Sequence, residues 1–371
     1  MLAATAGLEG RQGDDLLARA LALHTQVPLI DGHNDYPWAL RQRDASRNLD
    51  SLDIRASQPS VHTDIPRLKA ARVGGQFWSV YVPVEMRGAD AVRATLEQID
   101  VVHRMVRKYP DVFERAGTAA DIERVFKAGR IASLIGVEGG HSIDNSLAVL
   151  RMFYDAGARY LTLTHSASLD WADSGTDKPR VGGLSRFGEE VVREMNRLGM
   201  LVDLSHTSAD AMRDALRVSE APVIFSHSDV YALNPHGRNV PDDVLQLLRK
   251  NGGIVMVTFV PGFLTASGKA TLADVANHMD HVRKVAGPDH VGVGGDFDGI
   301  QSVPAGLEDV SKYPALTAEL LRRGWPDDDV RKALGLNVLR VLRRAEDVRG
   351  RLQQQRAAST ATLEALDKKK P

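Results

Sequence analysis

Ile131 to Gly140 reads IASLIGVEGG: an unbroken run of apolar and small residues, then a carboxylate, then paired glycines. A half-buried strand would alternate. An unbroken run suits a strand covered on both faces, as in a parallel sheet. The same pattern recurs along the chain. Upstream stand VPLIDGH (Val27 to His33) and VGGQFWSVYVP (Val73 to Pro83). Downstream stand ARYLTLTHS (Ala158 to Ser166), LVDLSH (Leu201 to His206), PVIFSHS (Pro222 to Ser228), GGIVMVTFV (Gly252 to Val260) and HVGVGGDFDG (His290 to Gly299). Helical periodicity fills the intervals. Leu147 to Ala156 carries apolar residues at i, i+3 and i+4 and stops at Gly157; Phe187 to Leu198 stops at Gly199. Ser208 to Val218, Pro241 to Lys250 and Leu272 to Ala286 repeat the pattern, and two further helices, Pro314 to Arg323 and Asp327 to Arg344, follow the last strand. Eight strands alternating with helices predict an α/β fold with a parallel sheet, for which a closed (β/α)8 TIM barrel is the natural count. A doubly wound open sheet is the alternative, since periodicity does not show closure. With no repeat and no linker, residues 1–371 read as one domain, with peripheral tails at about 1–15 and 353–371.

Composition narrows the function classes. The 371 residues are 43% hydrophobic and 26% charged, which excludes wholesale disorder and a fibrous repeat. Lys+Arg number 47 against 48 Asp+Glu, so no global basic field points to nucleic acid. Cysteine is absent, so any metal must sit on His, Asp and Glu, and any homodimer is not disulfide-linked. No run is long and apolar enough to predict an integral membrane segment. The N-terminus MLAATAGLEGRQGDD lacks a basic stretch followed by an apolar one. The chain as it stands therefore reads as soluble and cytoplasmic; a trimmed precursor would make it periplasmic or secreted.

Position matters more than composition. Ionisable residues close nearly every strand: Asp31, His33 and Asp35 on the first, then Glu138, His165, His206 and His227, and Asp296 with Asp298 on the last. In α/β barrels that edge carries the site, and an unpaired polar group on a buried strand is costly. Taken singly, each has a plain reading: Asp35 as a helix N-cap, Glu138 and Asp298 as turn residues, His236 in NPHGR as structural. His24, His62, His103, His278, His281 and His290 read as solvated or helical. Taken together, the strand-end groups point to metal. His33 and Asp35 present alternate residues on one side of a strand end. Glu138 has two oxygens with which to bridge two cations, and His206 with His227 would complete a second position. His–carboxylate sets without cysteine suit two Zn2+, with Mn2+ or Co2+ as substitutes. Such a pair acidifies water and polarises a carbonyl or phosphoryl oxygen, the chemistry of a hydrolase. Asp296 would take the proton from that water, or serve as a further ligand or an orienting group. Arg238 is a candidate clamp for an anion, its plain reading being a surface cation. GVGGDFDG (Gly292 to Gly299) lacks the full dinucleotide fingerprint, and neither a phosphate-binding loop nor a serine-hydrolase elbow occurs.

The same residues carry a family resemblance. IDGHND with PWAL (Ile30 to Leu40), GVEGGH (Gly136 to His141), YLTLTH (Tyr160 to His165) and DLSH (Asp203 to His206) are similar to the membrane (renal) dipeptidases, amidohydrolase-like metal-dependent hydrolases. FSHS (Phe225 to Ser228), GRNVPDD (Gly237 to Asp243) and GGDFDG (Gly294 to Gly299) extend the match, in order, from about Leu16 to Leu342. The resemblance implies a distorted (β/α)8 barrel with two zinc ions, one on His33 and Asp35, one on His206 and His227, with Glu138 bridging. It implies that His165 binds the scissile carbonyl oxygen, Arg238 the free C-terminal carboxylate of a dipeptide, and that Asp296 passes a proton to the leaving amine. It implies dipeptide hydrolysis, often with a D-residue at the C-terminal position, and β-lactam opening in some members. One departure stands out: Val260, in VTFVPGF, occupies a position where the resemblance leads one to expect tyrosine. With no leader or lipid-anchor tail in view, the chain resembles a bacterial-type soluble member. The rival expectations are the same site acting on another cyclic amide or a lactone, and a non-catalytic metal-binding barrel. A nucleotide-binding oxidoreductase is a remote third.

Overall fold

The computed structural model describes residues 2–367, with side chains from residue 13 onward. Nine strands form one sheet: β1 (Leu29–Asn34), β2 (Val73–Ser79), β3 (Phe113–Arg115), β4 (Ile131–Glu138), β5 (Ala158–Thr162), β6 (Leu201–Asp203), β7 (Ile224–Phe225), β8 (Ile254–Val257) and β9 (Val291–Val293). The order is β2-β1-β9-β8-β7-β6-β5-β4-β3, and β2 also pairs with β4. That last pairing closes eight parallel strands into a barrel, so the open-sheet alternative falls. The ninth strand, β3, was not legible in the sequence. It spans three residues and pairs with the start of β4 at Ile131 to Ser133, ahead of the stretch that β5 takes at Ile135 to Glu138.

Strand alternation sorts the core into two shells. On β4, Ala132 and Leu134 join Tyr160, Leu201, Ile224, Ile254 and Met256 in the cluster that fills the barrel. Ile131, Ile135 and Val137 join the cluster between sheet and helices. The inward register of β4 continues 132, 134, 136, 138, and so carries Glu138 into the barrel mouth. Gly136 is required there: a Cβ would collide with the Tyr160 ring. Several strands end earlier than their apolar runs. β6 stops at Asp203, and His206 beyond it lies at φ 70°, outside the extended region. β7 holds only Ile224–Phe225, after Pro222, which has no N–H for a ladder. His165, His206, His227 and Asp296 therefore sit in the first loop residues beyond their strands rather than on them.

The helices start on matched caps: Ser146, Ser185 and Ser208 accept from Val149, Gly188 and Ala211. The C-terminal region forms helices Tyr313–Arg322, Asp327–Arg331 and Asn337–Gln355, the last two joined through a π turn at Lys332–Leu336. A helix spans Leu2–Gln26, and near the other end the Asp367 carboxylate accepts from Ser185 Oγ (2.6 Å) and Phe187 N (3.1 Å); residues 368–371 of the expected tail lie outside the described residues.

Of the histidines that read as solvated or helical, His24 and His278 lie buried in α-helices. His24 Nε2 meets Thr317 Oγ1 at 2.8 Å and Nδ1 meets the Ala71 carbonyl at 2.9 Å. His278 accepts from Val230 N at Nδ1 (2.9 Å) and meets the Leu264 carbonyl at Nε2 (3.0 Å). Burial pushes each down to about 4. A folded pKa below the unfolded one gives stability that is present above the unfolded value and lost as pH falls through the folded value. For His24 the window runs from pH 6.5 down to about 4. Between pH 7 and 5 wild type should lose about 2 kcal/mol through His24. A His24→Gln variant should be spared that loss, so the difference in unfolding free energy between the two proteins narrows by that amount. A difference that does not change with pH, measured by urea unfolding, would contradict this.

Candidate active site

The loops after the strands bring the strand-end residues to one point. His33 comes from β1 and Asp35 from the turn after it. Asp35 occupies the N-cap position of helix Tyr36–Arg43, yet its side chain makes no cap hydrogen bond. Its carboxylate turns inward, Oδ2 lying 3.2 Å from His33 Nε2. Glu138 sits between the histidines: Oε2 is 3.5 Å from His33 Nε2, while Oε1 is 3.0 Å from His206 Nε2, 3.5 Å from His227 Nε2 and 3.7 Å from His165 Nε2. The Nε2 atoms of His206 and His227 face each other at 3.0 Å. Asp296 Oδ1 lies 3.9 Å from His33 Nε2, held by a loop that passes φ 60° at Asp296. Gly299 lets that loop close: a Cβ there would press on the carboxylates of Asp35 and Asp296.

These residues fit metal on their own geometry. Ligand atoms about 2.0 to 2.2 Å from one tetrahedral ion stand about 3.3 to 3.6 Å apart; the separations among His206, His227 and Glu138, and those of His33 from Asp35 and from Glu138, run from 3.0 to 3.5 Å. Three overlapping groups have ligand atoms within 4.8 Å of one another: His33–Glu138–His227, Glu138–His165–His206 and His33–Asp35–Asp296. His33 Nε2 and Asp35 Oδ1 are buried with no hydrogen-bond partner among the described residues. Buried polar atoms are rarely left so. The protein alone strains the titrations. Burial opposes the His33 imidazolium, but Tyr160, Glu138 and Asp35 outweigh it and hold its pKa well above the usual range. Burial works against the Glu138 carboxylate too, yet His33 and His206 keep it well below. Burial, with Asp35 and Glu138 adding to it against His33, drives Asp296 well above. Burial, with Arg238 and neighbouring histidines, drives His206 and His227 well below.

Arg238 is not the surface cation of its plain reading. It is 2% exposed. Nη2 donates to the His227 carbonyl at 3.3 Å and the guanidinium lies 5.1 Å from the Phe263 ring centre, but Nε and Nη1 have no partner among the described residues. Burial lowers its pKa to about 10, against the pull of Asp296, Glu138, Asp203 and Asp229. It lines a cavity of about 510 Å3 together with Asp35, Glu138, His165, His206, His227 and Asp296. Trp38, Tyr81, Phe263, Ile300 and Gln301 also line it, and Val260 presents a short side chain there. His165 stacks between Tyr81 (4.9 Å) and His206 (4.2 Å). Asp298 and His236 keep local roles: Asp298 Oδ1 accepts from His62 N (2.5 Å), and His236 Nδ1 accepts from Arg238 N (3.2 Å).

The family model for "Membrane dipeptidase (Peptidase family M19)" matches residues 17–356. The chain belongs to this family. It is a metallodipeptidase by that membership, and the resemblance read from its motifs holds. Dipeptidase verJ of Clonostachys rogersoniana is 48% identical over 346 residues, covering 90% of this chain and 88% of that protein. Mouse (Mus musculus) dipeptidase 3 is 48% identical over 339 residues, covering 90% and 68%. Among solved structures, a metallopeptidase from Rhodobacter sphaeroides liganded with a phosphinate mimic of the dipeptide L-Ala-D-Ala superposes with a TM-score of 0.79 at 28% identity, covering 86% of this chain and 99% of that one. Among the described residues no helix is long and apolar enough to cross a membrane.

Sequence reading missed Tyr160, and set Asp31 among the strand-end groups without showing what it holds. Tyr160 OH stands 2.9 Å from His33 Nδ1, and Asp31 accepts from Gly295 N, Gln76 Nε2 and Tyr313 OH, each at 2.8 Å, tying β1 to β2, the loop after β9 and a C-terminal helix. Tyr160 read as one more apolar strand residue. Its inward register, shared with Leu201 and Ile224, was the available signal.

Proposed function

We propose that the chain works as one barrel unit that hydrolyses dipeptides with two divalent cations, zinc in the first instance. His33 and Asp35 would hold one, His206 and His227 the other, and Glu138 both. Cations bound there acidify water and polarise a carbonyl. The chain's own residues do the rest. His165, 3.7 Å from Glu138 and half-open to the cavity, meets the scissile carbonyl oxygen and the charge that develops on it. Arg238 takes the C-terminal carboxylate. Asp296 accepts a proton from the attacking water and returns it to the leaving amine. The carbonyl carbon gains the water oxygen, the C–N bond breaks, and the amine leaves protonated.

The observation that carries this reading is Arg238: a guanidinium 2% exposed, with two unpartnered nitrogens and no carboxylate within 4.0 Å among the described residues, in the wall of the same cavity as the histidine–carboxylate cluster. A buried, unpaired cation calls for an anion, and a carboxylate matches its fork. In a cavity of this size the anion and the cleaved bond belong to one short substrate. The phosphinate mimic of L-Ala-D-Ala held by the Rhodobacter sphaeroides relative supports tolerance of a D-residue at the second position. The test compares L-Ala-D-Ala and L-Ala-L-Ala with their C-terminal amides. The free acids are expected to turn over and the amides to be cleaved at least about a hundredfold more slowly in kcat/KM. Equal cleavage of acid and amide would overturn the assignment.

A further inference from the structure

Each of the three proposed histidine ligands has a second ring nitrogen, and the three are treated differently. His33 Nδ1 meets the Tyr160 hydroxyl, and His206 Nδ1 has no partner among the described residues. His227 Nδ1 lies 2.8 Å from Ser226 Oγ, which in turn lies 2.6 Å from Asp203 Oδ2. Asp203 is fully buried at the end of β6. Its four seats are all taken. Ser205 N (3.1 Å) and Ser226 N (2.8 Å) donate to Oδ1, and Thr162 Oγ1 (2.5 Å) and Ser226 Oγ donate to Oδ2.

The directions follow from the donors available. A carboxylate accepts only, so the single Ser226 hydroxyl proton points to Asp203. Ser226 Oγ then has only lone pairs for the imidazole, and His227 must carry its proton on Nδ1. Its Nε2 lone pair is left facing Glu138 and His206. We propose that Asp203 and Ser226 are positioning residues: Asp203 fixes the direction of the Ser226 hydroxyl, and Ser226 fixes the tautomer of His227 in which Nε2 can hold a cation. This rests on the reading of His206, His227 and Glu138 as a ligand set.

The geometry makes an isosteric variant informative. In Asp203→Asn the two backbone N–H groups at Oδ1 keep the amide oxygen on their side, which forces the NH2 to the Oδ2 side. That NH2 donates to Ser226 Oγ, the hydroxyl proton turns toward His227 Nδ1, and the ring proton moves to Nε2, where it blocks a ligand. Ser226→Ala removes the acceptor without reversing it.

The experiment is a stepwise zinc titration of the metal-free full chain against a competing chelator, with thermal melting of the metal-free proteins alongside. Wild type is expected to take up two equivalents. Both variants are expected to bind one of them about 10- to 100-fold more weakly, with the other unchanged, and Asp203→Asn is expected to be the weaker of the two. A role in packing alone would shift the melting temperature and leave both affinities in place. Two equivalents at wild-type affinity in either folded variant would overturn the relay. A wild type that takes up no zinc would instead overturn the ligand set beneath it. If Asp203→Asn does not fold, Ser226→Ala carries the same decision.

Discussion

Glu138→Gln is expected to lower kcat by about a thousandfold or more, which corresponds to the several kcal/mol that cation polarisation contributes. The cause is specific to its place. Glu138 is 4% exposed and lies within 3.7 Å of four histidine nitrogens. Oε1 faces His206, His227 and His165, while Oε2 faces His33 and accepts from Ser79 Oγ at 3.2 Å. An amide keeps the shape and presents one poor donor atom on one side only. Metal content should therefore fall together with rate, and added zinc should restore little. A variant that retains full metal content and wild-type turnover would remove Glu138 from the centre of the site.

Arg238→Gln should behave differently. Truncating one partner of a buried charged pair costs about 2 to 5 kcal/mol, roughly 30- to 5,000-fold in kcat/KM for a free dipeptide. If the guanidinium grips the carboxylate equally in ground and transition states, most of that loss falls in KM. Metal content should be close to wild type, since the hydrogen bond from Arg238 to the cluster goes to the His227 backbone carbonyl and not to a ligand atom. The C-terminal amide, already slow, should lose little more. The two substitutions thus separate the metal centre from the anion clamp. Wild-type kinetics on free dipeptides in Arg238→Gln would exclude the clamp.

The barrel and the histidine–carboxylate cluster were legible for one reason. A parallel barrel buries both faces of its strands, so each strand is an apolar run, and polar residues are tolerated only where the run stops. Glu138 after IASLIGV and His33 with Asp35 after VPLI are cases of that rule. What stayed hidden depends on contacts between strands. β3 is too short, and its residues grade from buried Phe113 to exposed Arg115, so it has no pattern of its own. Tyr160 and Asp203 sit in LTL-like and VDL-like stretches, where one polar atom in a strand says nothing about its partner. Their partners come from elsewhere in the barrel: His33 stands on β1, which does not pair with β5, and Ser226 follows β7, so only the closed barrel brings them together. Arg238 is a candidate clamp from its residue type and from the resemblance, but a loop sequence does not reveal that Phe263 and the His227 carbonyl enclose it.

Elemental analysis of the purified chain, paired with turnover of L-Ala-L-Ala and L-Ala-D-Ala before and after chelation, tests the central claim most directly. The expected result is about two zinc per chain, cleavage of both dipeptides, loss of cleavage on chelation and its return with added zinc. A metal-replete preparation that holds no metal, or cleavage that chelation leaves untouched, would contradict it.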